Sequence, residues 1–144
     1  MVKDLDEIDD AARDQVNLLN KSTKIKDEWT DEEFLQHQVK RQELLNKFLS
    51  DNSGKSIILA GFHSEGGGQY AINVPTLNKF LLDTDAATSA QRAYQRSLES
   101  KHVKNLEDLP HDVEEAQADI EAFTSMGYTP RSTEQIIEWI GNNI

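Results

Sequence analysis

The sequence predicts a predominantly helical α+β fold, with about five to six helices and one β-hairpin over residues 56–74. Three observations lead there. Apolar residues recur at three- and four-residue steps in several stretches, the spacing of one helical face. Thr30/Glu33 and Ser132/Gln135 have the spacing of capping boxes. A single run of β-formers is followed by three consecutive glycines and then by alternating apolar and polar residues.

The first helix is expected over residues 4–20, where Leu5, Ile8, Ala12, Val16 and Leu19 share a face. Asp4, Asp6, Glu7, Asp9 and Asp10 crowd its opening turns, where negative charge suits the helix dipole. Residues 21–26 lack a period and read as a connector. The second helix starts at the Thr30/Glu33 box, with Trp29 and Phe34 placed for a hydrophobic staple. It should run over 31–49 with Leu35, Val39, Leu45, Phe48 and Leu49 as its apolar face, ending in Asp51-Asn52-Ser53-Gly54.

The hairpin joins 56–62 to the alternating Tyr70, Ile72 and Val74 through residues 63–68, and Pro75 closes it. A two-stranded ribbon is marginal alone, so helices must cover one face. Residues 76–82 read as a short helix, and Asp83-Thr84-Asp85 offers N-caps to a longer one over 86–101 with Ala87, Ala90, Tyr94 and Leu98 on one side. A loop over 103–109 leads to a helix with Pro110 in its first turn, which presents Val113, Ala116, Ile120 and Phe123 and stops at Gly127. The last helix starts near Ser132 and buries Ile136, Ile137 and Ile140, with Trp139 at a rim. The expectation is one domain over 1–144, in which 1–26 is a candidate for a loosely attached helix and linker.

Charge is laid out unevenly. Residues 1–36, 37–105 and 106–144 carry net charges of −6, +3 and −8, which together make the −11 of the chain. That layout bears on solubility and partner choice. It disfavours direct binding to nucleic acid or to an anionic membrane. The chain has no cysteine, so disulfides, thiolate nucleophiles and cysteine-type zinc sites are excluded. The acidic start lacks the apolar core of a signal peptide, and the longest apolar run, residues 57–60, is too short to span a bilayer. A cytoplasmic protein, in host cytoplasm if phage-encoded, is the expectation.

No motif fixes a reaction. Gly54-Lys55-Ser56 ends like a phosphate-binding loop, but Leu49 stands where the first glycine is needed and a helix precedes it. His63, Glu65, Gly66, Gly67 and Gly68 form the one polar, flexible cluster with the look of a site. His63 and Glu65 are able to pair as acid and base or to share a metal, and the glycine amides suit an anion. The His-x-Glu spacing occurs in zinc deaminases, but those also need a Pro-Cys-x-x-Cys segment. His37, His102 and His111 fall on different elements without metal spacing, and neither acidic run has the glycine turn of a calcium loop. No metal centre or cofactor is therefore expected.

Arg92 and Arg96, at i and i+4, make a modest basic face suited to phosphate or an acidic partner. Asp112, Glu114, Glu115, Asp119 and Glu121 flank the apolar stripe of the acidic helix. They span about 13.5 Å, roughly one charge per 2.7 Å against about 3.4 Å along a DNA strand. Such spacing permits nucleic-acid mimicry. Met126-Gly127-Tyr128 between two helices resembles the Met-Gly-Phe/Tyr loop of ubiquitin-associated domains over about 25 residues. The third helix of that bundle would have to follow Ile144, so no membership is drawn from it.

Three functions compete. The leading expectation is a non-catalytic acidic module that binds a protein with a basic surface, as inhibitors, immunity factors and phage or plasmid modulators do. The second is an assembly subunit of a virion or homo-oligomer. The third is a small enzyme or ligand-binding domain centred on His63 to Gly68.

Overall fold

The computed structural model describes every residue of the chain except Phe62, His63 and Leu77. Two units divide it, Met1–Glu65 with Gln69–Val74, and Gly66–Gly68 with Pro75–Ile144.

In the first unit, strand β1 (Val2–Asp4) leads directly into helix α1 (Leu5–Leu19). Asp4 caps that helix, its carboxylate accepting the Asp6 N–H at 2.9 Å. Helix α2 (Asp31–Asp51) follows a single 3₁₀ turn at Lys26–Glu28. Its capping box forms as the sequence requires, and the Trp29 and Phe34 rings meet edge to face at 5.4 Å. Strand β2 (Ile58–Ala60) then pairs parallel with β1, with Val2 opposite Ile58. The core gathers Leu5, Ile8, Leu45, Ile72 and Val74, with Leu44, Leu49 and Leu59 packed against them. Each such side chain contributes roughly 1.5–3 kcal/mol when fully buried.

The predominantly helical α+β class stands, but the expected hairpin does not form. Ile58–Ala60 finds its partner in β1, and, among the described residues, 70–74 join no ladder. Side chains of α2 take the place of a neighbouring strand. Gln38 donates to the Ala71 carbonyl at 2.7 Å and Arg41 to that of Tyr70. Gln42 both donates to the Asn73 carbonyl and accepts its N–H. The alternation was real, since Ile72 and Val74 point inward. Among the described residues, an antiparallel bridge between Glu65 and Gln69 remains of the turn.

The buried face of α2 also differs. Leu35 and Val39 are 51% and 54% exposed, whereas Glu33, His37, Arg41 and Leu45 form the covered stripe. Desolvating polar groups is unfavourable unless partners replace water. Here Lys24, Asp9, Glu65 and the Tyr70 carbonyl lie against them.

The second unit repeats the element order of the first. Strand β3 (Phe80–Leu82) is followed by helices α3 (Ala86–Ser97) and α4 (Leu109–Ser125), then by β4 (Thr129–Arg131), parallel to β3 with Phe80 opposite Thr129. Helix α5 (Thr133–Asn143) is appended, and its Ser132/Gln135 capping box is formed. The short helix expected over 76–82 is thus corrected at its end, because a three-residue apolar run reads equally as helix or strand. Helix α3 stops early: the Ser97 hydroxyl donates to the Tyr94 carbonyl and accepts the Lys104 N–H, turning the chain. Gly127, at φ 94°, ends α4 as expected. Packing in this unit is thin. Among the described residues, Ala86 and Ala90 are its buried apolar ones, and none of α4 or α5 is fully buried.

Candidate functional site

The first unit carries a cluster of charged side chains over its core. Asp9 comes from the second turn of α1, Lys26 from the 3₁₀ turn, His37 and Arg41 from successive turns of α2, and Glu65 from the bridge to Gln69. His37 is 0% exposed and Arg41 1%. The Lys26 ammonium lies between the carboxylates, 2.9 and 3.1 Å from the two Asp9 oxygens and 3.1 Å from Glu65 Oε1.

The His37 ring is fixed by one main-chain contact. Its Nε2 is 3.1 Å from the Asp9 carbonyl oxygen. A carbonyl only accepts, so Nε2 carries the proton and Nδ1 holds a lone pair. Nδ1 is buried without a hydrogen-bond partner and lies 4.0 Å from Glu65 Oε1. Burial pushes the His37 pKa below its ordinary value, and the Arg41 and Lys26 charges add to that, against the Asp9 contact. The imidazole is therefore neutral at pH 7. Burial also lowers the Arg41 pKa, opposed by Asp9 and Glu65; the guanidinium stays protonated. Two carboxylates, one ammonium and one guanidinium then cancel.

Arg41 also holds the backbone. Tyr70, whose carbonyl accepts from Arg41, sits at φ 53°, a left-handed conformation unfavourable for a bulky residue. Its ring stacks on Phe34 at 5.3 Å, which helps hold that conformation. The imidazole also meets the Trp29 ring edge to face at 5.1 Å.

The sequence-predicted residues fall in different places. His63 lies outside the described residues. Glu65 belongs to the cluster of the first unit, while Gly66, Gly67 and Gly68 belong to the second. There the Gly67 N–H donates to Asp119 Oδ1 at 2.7 Å, so the anion held by the glycine amide is a carboxylate of α4 itself. Gly68, at φ 77°, lets the loop come close to α4: a Cβ there would stand 2.9 Å from that of Ala122.

Of the acidic helix residues, Asp112 is half-buried with Lys104 at 3.7 Å, and Asp119 is half-buried. Glu114, Glu115 and Glu121 are exposed. Glu115 pairs with His111 at 3.1 Å and Glu121 accepts from Gln117 at 3.2 Å. Arg92 and Arg96 are exposed along a shallow depression of about 450 Å³ on α3, with Thr88, Gln91 and Gln95. Sequence reasoning singled out neither Lys26 nor Arg41 and set His37 aside. The available signal was the four-residue spacing of Glu33, His37, Arg41 and Leu45. Compared with protein-family models, with curated proteins and with solved structures, the chain has no match.

Proposed function

We propose that the chain is a non-catalytic protein-binding module that offers the acidic face of α4 to a protein with a basic surface, as an inhibitor or modulator of a nucleic-acid-handling protein would. The observation that supports this reading most is the outward set Glu114, Glu115 and Glu121 on a helix with no fully buried residue. Glu114 has no ionic or hydrogen-bond partner among the described residues, and its charge is available to a second molecule. Thin packing in the same unit favours a partner that covers its half-exposed apolar side chains. A cytoplasmic setting belongs to this reading; among the described residues no helix is long and apolar enough to cross a membrane.

Affinity capture at low and high salt tests it, with the triple variant Glu114→Gln, Glu115→Gln, Glu121→Gln beside the wild type. Rim charges act through screened fields, with a Debye length of about 10 Å at 0.1 M salt. The captured protein should elute as salt rises and should be lost with the triple variant. Retention that ignores both salt and the substitutions counts against the reading.

A second reading, self-assembly, is favoured by Leu35 and Val39, an exposed i, i+4 apolar pair on α2. Light scattering that shows a monomer at high concentration removes it.

A further inference from the structure

We propose that Asp9, His37 and Glu65 form a binding site for a divalent first-row transition-metal ion, with the Lys26 ammonium as the built-in cation that such an ion displaces. One donor atom from each of the three residues lies within 4.8 Å of the others. Donors on a single tetrahedral ion with bonds of about 2.0–2.1 Å stand roughly 3.3 Å apart, so the set must contract by up to about 1.5 Å. Carboxylate rotation supplies movement of that size.

Acidic residues alone would not define a ligand. The pointer is His37, whose side chain is wholly buried and whose Nδ1 has no partner. Donation from Nε2 to the Asp9 carbonyl fixes the tautomer that leaves Nδ1 free, which is how protein scaffolds commonly orient a ligating imidazole. A neutral imidazole with a free lone pair at Nδ1 is the form that ligates. Lys26 already shows that a cation is stable between the carboxylates. Its side chain is 24% exposed, so the ammonium can swing into water. One nitrogen and two carboxylates suit zinc-like ions better than calcium or magnesium, which prefer oxygen donors throughout. Three protein donors leave a coordination position for water. Arg41 stays nearby and opposes the ion, so wild-type affinity is modest.

The test uses the full chain stripped with a chelator and titrated with Co²⁺ and Zn²⁺. His111 and Glu115 make a surface pair able to hold an ion, so every protein is also prepared with His111→Gln. Wild type should take up one Co²⁺ with visible absorption bands, and the His37 ring resonances should shift. Lys26→Met should bind about tenfold more tightly or better, because no ammonium competes. Its melting temperature should rise with metal by linkage. Adding Glu65→Gln should abolish both effects. Absorption that survives Glu65→Gln and vanishes with His111→Gln means an adventitious ion only, and overturns the proposal. So does an absence of change in the wild-type His37 resonances at about 1 mM Zn²⁺. That second measurement decides the matter even if Lys26→Met fails to fold.

Discussion

Arg41→Met should cost the first unit about 3 kcal/mol, for reasons that can be assigned group by group. The guanidinium is 1% exposed, donates to the Tyr70 carbonyl and faces Asp9 and Glu65. Removing it leaves that carbonyl without its donor, worth about 1–3 kcal/mol if water cannot enter. It also leaves two carboxylates against one ammonium, and breaking a buried ionic set in this way typically costs about 3–5 kcal/mol. Methionine offsets part of the loss: it fills much of the same volume, and the unpartnered Arg41 Nε disappears. The charge argument makes a second demand. Adding Glu65→Gln restores neutrality, so the double variant should be more stable than the sum of the singles by about 1 kcal/mol or more. Urea unfolding followed by the fluorescence of buried Trp29, in a Trp139→Phe background, reads this unit alone. A loss under about 0.5 kcal/mol, or strict additivity, refutes the reasoning.

Two further outcomes follow from single groups. Because burial lowers the His37 pKa from 6.5, the unfolded chain takes up the proton first. In metal-free buffer the contribution of His37 is whole above pH 6.5 and falls at up to about 1.4 kcal/mol per pH unit as acidification proceeds toward the folded value. His37 is faced by Asp9, Lys26, Arg41 and Glu65, and His37→Gln should remove this slope; equal slopes in urea melts of the two proteins contradict the assignment. Gly68→Ala combines a left-handed φ of 77° with a Cβ 2.9 Å from that of Ala122. It should destabilise the packing of the loop on α4 by roughly 1–3 kcal/mol, seen as faster amide exchange in α4, and unchanged exchange there would count against that close approach.

The helices were legible because their signals are local. Caps at Thr30, Asp85 and Ser132 and the stop at Gly127 each involve residues a few positions apart, and each is formed. Parallel pairing was not legible. The strands are three residues long, and nothing in Val2-Lys3-Asp4 announces Ile58 as its neighbour. The covered face of α2 is hard to see in the sequence for a different reason. Apolar periodicity selects Leu35 and Val39 together with the buried Leu45, whereas the rest of the covered stripe, Glu33, His37 and Arg41, is polar and is tolerated only because Asp9, Lys26 and Glu65 arrive from distant segments. The segment 70–74 shows the limit between these cases. Its inward residues, Ile72 and Val74, follow from alternation, but the partner of its backbone is a row of glutamine and arginine side chains. For the same reason the candidate site was half visible: Glu65 was singled out, while the groups that give it meaning lie up to 56 positions earlier in the sequence.

Both two-stranded ladders join segments that are remote along the chain, Val2 with Ile58 and Phe80 with Thr129. Neither can nucleate folding as a tight turn would, since the entropy of closing so long a loop must be met before any ladder bond forms. The helices can form earlier, because their contacts are local and fast. Pairing α1 with α2, or α3 with α4, brings the strand ends within reach, so the ladders close last in each unit. Sequence changes that loosen a helix pair should therefore slow refolding, whereas changes within the strands should chiefly hasten unfolding.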